Sequence, residues 1–167
     1  REHIEAGKPL VGIRTASHPF HQNKEAELPE GLGEWRDFDP TVLGGSYHGH
    51  HGNDLTTFAK VDTKEPEHPI LKGVDTRNFQ TYGSLYEVRP LLEQTTVLLS
   101  GNACSISERE PVAWTNVGPA NNRIFYTSLG HPYDFSITNF RVMLRNAVYW
   151  ALDSEPAPAA AKTGDDC

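Results

Sequence analysis

Cysteine is scarce in this chain, and so is uninterrupted apolar sequence. The two cysteines, Cys104 and Cys167, are too few for a disulfide framework. They read as a free core thiol and a residue at the end of a tail. No apolar run approaches the length that spans a bilayer, and no signal-peptide pattern opens the chain. Phosphate-cradling glycine loops of the GxGxxG or GxxxxGK[ST] type are missing. Basic-aromatic nucleic-acid motifs are missing too, and a net charge of −7 speaks against a broad electrostatic footprint for nucleic acid. Apolar content is 37%, and a polar tail accounts for part of the shortfall against ordinary domains. The composition reads as that of a soluble globular domain; the compartment, cytoplasm or periplasm, stays open, and so does assembly as a homo-oligomer.

What is present is an alternation of short strands and helices. Residues 1–6 read as the last turns of a helix with Gly7 at its C-cap. Residues 9–14 (PLVGIR) read as a buried strand, and 15–21 as the loop leaving it. A doubly wound sheet normally starts on a strand, so a domain incomplete at its N-terminus is expected, with an exposed apolar sheet edge or helix face near the start. Asp39-Pro40 looks like a helix start, ended by Gly44-Gly45. Further strands are expected at 54–61, 85–88, 96–100, 112–116 and 123–128, the last two joined by a hairpin turn at Asn121-Asn122. The clearest element is a helix over 137–152, where Phe140, Met143, Leu144, Ala147, Val148 and Ala151 follow the spacing of one buried face. Beyond it the sequence turns Pro/Ala-rich. The division is therefore one α/β domain over 1–152 and a disordered tail over 153–167.

Eight histidines are unevenly placed. His18 and His21 follow the first strand; His48, His50 and His51 lie in GGSYHGHHG; His131 follows IFYTSL in the motif LGHPYDF. Ligands of open α/β sheets bind beyond the carboxyl ends of strands, where His18 and His131 are expected to converge. Such histidines can bind a divalent metal, act as general acid or base, or hydrogen-bond ligand hydroxyls. A structural role competes: His48 and His51 as solvated loop residues, His68 as a turn residue. No acid that would orient a metal-bound histidine can be named from the sequence. Cys104, in SGNACSIS, lacks the glycine-flanked elbow of an acyl-transfer nucleophile, and Ser105 and Ser107 have no better claim. Asp54, Glu87, Glu108, Glu110 and Asp134 are available as carboxylates, but spacing does not say which of them meet. Trp35, Tyr47, Tyr82, Tyr86, Trp114, Tyr133 and Trp150 supply rings, most of them expected in the core, Trp150 above all.

LGGSYHGHHG, EHPILKGV, EPVAWTNVGPANNRIFYTSLGHPYDF and FRVMLRNAVYWAL, in that order, resemble a ThuA-like (trehalose-utilisation) domain over about residues 7–152. The resemblance implies a flavodoxin-like, class I glutamine amidotransferase-type sheet without the amidotransferase triad. It also implies a role in the use of trehalose, related disaccharides or keto-sugars. Carried onto this chain, the glycine-aromatic-histidine pattern falls on Gly44, Gly45, Tyr47 and His50. The late Gly-His falls on Gly130 and His131, and the early histidine on His18. His50, His131 and His18 are thus the candidate catalytic groups. Gly45, Tyr47, His48, Trp114, Gly130 and Tyr133 are the candidate ligand contacts, His50 and His131 being expected in one cleft. The partner expected is a small sugar-like molecule, and no cofactor is specified, a divalent metal staying open. Two readings stand, an enzyme acting on a sugar and a non-catalytic sugar-binding or accessory module, with a metal-dependent hydrolase as a further alternative. The chain departs from the pattern at Gly83 and Ser84, where many relatives carry an acidic pair.

Overall fold

The computed structural model describes residues 1–20, 28–52, 56–104 and 106–155. His21, Asp54, Ser105 and Cys167 lie outside them. The strands are β1 (Leu10–Ile13), β2 (Gly49–His50), β3 (Thr57–Val61), β4 (Gln80–Thr81), β5 (Tyr86–Glu87), β6 (Thr96–Ala103), β7 (Glu110–Val117) and β8 (Arg123–Thr127). The helices are α1 (Glu2–Glu5) and α2 (Thr138–Ala151). Six strands form one sheet in the order β1-β8-β7-β6-β3-β4, and β2 pairs with β5 apart from it. Only β1 and β8 run parallel; the other neighbours are antiparallel. The α/β class and the late hairpin are as expected. The turn closes at Gly118–Asn122 with Asn121 in the left-handed region, φ 58°.

The sheet is apolar on both faces because β8 alternates. Phe125 joins one cluster with Leu99, Phe140, Met143 and Ala147. Ile124 and Tyr126 join the other, with Val42, Leu43 and Trp114. Each such side chain taken fully from water contributes roughly 1.5–3 kcal/mol. α2 covers the first face through Phe140, Met143, Ala147 and Ala151. Val148, expected on that face, is exposed; four buried positions already fill the stripe one helix can press on a sheet. Trp150 is likewise only half-buried. Its ring lies against His68 and under the Arg123 guanidinium.

The segment predicted to begin at Asp39-Pro40 is a π-helical turn, Asp39–Leu43, closed by the Gly44 N–H on the Asp39 carbonyl at 3.0 Å. Gly44 ends it at φ 87°, a conformation glycine adopts without penalty. Cys104 is exposed and not a core thiol, because β6 runs on through Gly101 and Asn102 and delivers it past the sheet.

Candidate functional site

β1 and β8 are parallel neighbours, with Ile13 opposite Thr127, so both run out at the same end of the sheet. The residues that follow them meet there. After β1 comes Arg14, whose backbone is left-handed at φ 46°, a conformation that costs a non-glycine residue about 1–3 kcal/mol and persists only when its surroundings enforce it. Here the Tyr126 hydroxyl donates to the Arg14 carbonyl at 2.6 Å. Burial pushes that phenol's pKa well up, so it remains a donor. The Arg14 side chain donates from Nη1 to the Ser128 carbonyl and from Nη2 to Ser84 Oγ, both at 3.1 Å. It lies 4.8 Å over the Tyr86 ring.

Tyr86 is the hub of the first group of rings. His50 stands opposite it in the β2–β5 pair. Tyr47 packs edge-on to Tyr86 at 4.7 Å, and His18 lies 4.1 Å from Tyr47 and 5.9 Å from Tyr86. His50 is 6.4 Å from both tyrosines. Its Nδ1 sits 2.8 Å from the His51 carbonyl. A carbonyl only accepts, so Nδ1 carries the proton and neutral His50 presents a bare Nε2. His18 Nδ1 is 2.8 Å from Ser17 Oγ.

The second group follows β8. Gly130 turns the chain at φ 124°, and a Cβ there would stand 2.4 Å from Ile13 Cγ2, so only glycine fits. Asp134, fully buried, accepts from the Gly130, His131 and Tyr82 amides at 2.9, 3.0 and 2.9 Å. That triple acceptance fixes the His131 loop against the Tyr82 segment. His131 Nδ1 accepts from the Tyr133 amide at 3.3 Å, which leaves the proton of the neutral ring on Nε2. Its ring neighbours are Tyr133 at 5.3 Å and Tyr82 at 6.4 Å. Both tyrosines are exposed, at 66% and 55%, and meet edge-on at 5.6 Å. Residues 82–84 connect the groups: Tyr82 bonds Asp134, Ser84 bonds Arg14, and a Cβ on Gly83 would stand 2.3 Å from Arg14 Nη1.

A model of one family, ThuA, described as trehalose utilisation, matches residues 1–151. The chain belongs to the ThuA family. Among solved structures, a ThuA-like protein from Bacteroides uniformis is similar at 20% identity with a TM-score of 0.63, over 90% of this chain and 60% of that one. The likeness confirms the flavodoxin-like ThuA fold, and the chain spans about 60% of that neighbour's length. No curated protein compared with the sequence matches it significantly.

In this ThuA-family chain the expected site residues separate into three sets, with His48 outside all of them. His18, Tyr47 and His50 gather on Tyr86. Gly130, His131 and Tyr133 form the second group. Trp114 and Gly45 belong to the interior. Trp114 is 1% exposed, packs at a tilt against Tyr126 and donates from Nε1 to the Leu43 carbonyl at 2.7 Å. Gly45 is buried where a Cβ would strike Leu91 at 2.3 Å. His48 is exposed, its amide bonded to the Glu87 carbonyl. His51 Nδ1 lies 3.8 Å from Glu87 Oε1. Among the described residues no three His, Cys, Asp or Glu side chains are grouped to hold a metal ion. A groove of about 900 Å³ between α2 and the 66–73 segment, lined by Leu71, Arg145, Tyr149 and Trp150 among others, holds none of these histidines.

Arg14 carries no mark in the sequence beyond a cation at the end of an otherwise apolar run, where it reads as the last residue of a strand, and Ser84, Tyr86 and Asp134 carry none that ties them to it. Asp134 reads as an available acid, whereas its oxygens are taken up by three amides.

Proposed function

We propose that this chain binds a small polyhydroxylated, sugar-like ligand at the carboxyl ends of β1 and β8. The observation that carries this reading is the exposed Tyr82–Tyr133 pair beside His131, held in place by Asp134. Two large rings left in water next to a fixed imidazole suit a sugar, whose C–H face is apolar and whose rim is hydroxyl. His131 offers a donor at Nε2 and His50 an acceptor at Nε2, and a hydroxyl group can satisfy both kinds. Those opposite roles also suit an acid and a base near neutral pH, with His18 assisting. The family's association with trehalose points to that sugar and related disaccharides or keto-sugars as the first to try.

A non-catalytic binding module is the second reading. It is favoured by the ring contacts among the described residues, where His131 lies against Tyr82 and Tyr133 and His18 and His50 lie against Tyr47 and Tyr86. The test is calorimetric titration of trehalose, other disaccharides and monosaccharides into wild type, His50→Ala, His131→Asn and Tyr133→Ala, with product analysis of the same mixtures. Asn at 131 keeps a side-chain acceptor for the Tyr133 amide, so the loop survives. Losing one well-placed hydroxyl partner costs roughly 1–3 kcal/mol, about 5- to 150-fold in affinity. The His131 and Tyr133 variants are expected to weaken binding within that range at unchanged thermal stability. Equal affinity in all four proteins would refute the assignment. Product formation selects the enzyme, and binding without it the module.

A further inference from the structure

Among the described residues, Arg14 is a half-buried cation with no carboxylate in ion-pair distance. Among the described residues the ion pairs are Arg36–Glu34, His51–Glu87, Arg77–Asp75 and Arg123–Asp153. No Asp or Glu oxygen of these residues lies within 4.0 Å of the Arg14 guanidinium. In a chain of net charge −7 an internal partner would be easy to supply. Of the acids nearby, Asp134 is engaged on three amides and Glu87 lies against His51, while the charge of buried Asp39 acts on the Tyr126 phenol from outside ion-pair distance of Arg14. The acceptors Arg14 does have, the Ser128 carbonyl and Ser84 Oγ, are both neutral, and they use two of the five guanidinium N–H groups.

Other polar side chains gather on the ring beneath this cation. Arg14, His18 and His50 all lie on the one ring of Tyr86, at 4.8, 5.9 and 6.4 Å. Burial raises the Tyr86 phenol above its ordinary range, so it contributes a neutral O–H and no negative charge. The backbone strain at φ 46° holds Arg14 at the end of β1, where strand-end ligands sit. A guanidinium fork matches a carboxylate or a phosphate with two parallel hydrogen bonds.

We infer that the ligand is an anionic sugar, whose carboxylate or phosphate is received by Arg14 while its hydroxyls meet the histidines and tyrosines. The inference rests on the sugar-site reading above and adds a charge to it. Glucose, glucuronate and glucose 6-phosphate differ at one position of the same ring and separate the two claims. In calorimetry wild type is expected to bind at least one of the two anions on the order of tenfold more tightly than glucose. The preferred anion identifies a sugar acid or a phosphorylated sugar. Arg14→Gln is expected to bring the ratio of anion to glucose affinity to about one, and Arg14→Lys to keep part of it. Should Arg14→Gln fail to fold, wild type alone still decides: the preference must shrink as salt is raised, while the affinity for glucose holds. Glucose binding as tightly as both anions overturns the anion and leaves the sugar site standing. Absence of binding by all three overturns both.

Discussion

Glu110 illustrates what a single buried side chain costs. It is 8% exposed, its Oε2 receives the Val88 amide at 3.4 Å, and burial raises its pKa against the lowering effects of that amide, Arg89 and His51. A carboxyl whose folded pKa lies above its unfolded one stabilises the fold fully below the unfolded pKa. That contribution is lost as pH rises through the folded value. Glu110→Gln keeps an acceptor for Val88 and removes the charge. It is expected to raise the urea midpoint at pH 7, with the gain vanishing below the ordinary carboxyl range. Urea titrations of both proteins across pH 3–8 check this. Nothing in EREPVAW separates Glu110 from its exposed neighbour Glu108, because burial here depends on β6 and the Val88 segment covering it. Gly130 and His131 were legible for the opposite reason. They follow directly on an apolar strand, and a strand end fixes position without reference to the rest of the fold. Trp114 misleads because a ring in a strand looks the same whether its face meets solvent or, as here, Tyr126.

At the level of elements, α2 is the most readable, since its register is written locally in the spacing of Phe140, Met143 and Ala147. What the helix does with its polar residues is not. Asn146, 6% exposed, donates from Nδ2 to the Ile70 and Lys72 carbonyls at 3.2 and 2.8 Å. Asn139 exchanges two hydrogen bonds with the Asp75 backbone. Two asparagines two turns apart on the same face of α2 thus fasten the loop after β3. Asn146→Ala leaves both carbonyls without that donor and is expected to cost about 1–3 kcal/mol. Chemical denaturation is the check, with a lower midpoint and an unchanged m-value. β2 and β4 were hidden in the sequence. Each has two residues, too few for a period, and exists only because a partner strand passes beside it. β6 was read short because Gly101 and Asn102 are poor strand formers; a neighbour on either side, β3 and β7, carries the strand through them.

Across the whole molecule, the α/β class and the ThuA resemblance were readable because they depend on the order of motifs along the chain. The meeting of Arg14 with Ser84, Tyr86 and Ser128 depends on β1 pairing with β8 across more than a hundred residues, which no local pattern encodes. Asp134 binds such distant parts further. Its carboxylate holds amides of the loop after β8 and of Tyr82, 52 residues earlier in sequence. The two segments therefore share one latch, and neither can open while the carboxylate stays in place. In deuterium exchange the amides of Tyr82, Gly130 and His131 are expected to be protected to the same degree and released together, as one cooperative unit. In Asp134→Asn all three should accelerate in parallel while the α2 amides keep their wild-type rates. Independent acceleration of one amide would show separate latches. If they do move together, the tyrosine and the histidine flanking the proposed ligand arrive and leave as a single jaw.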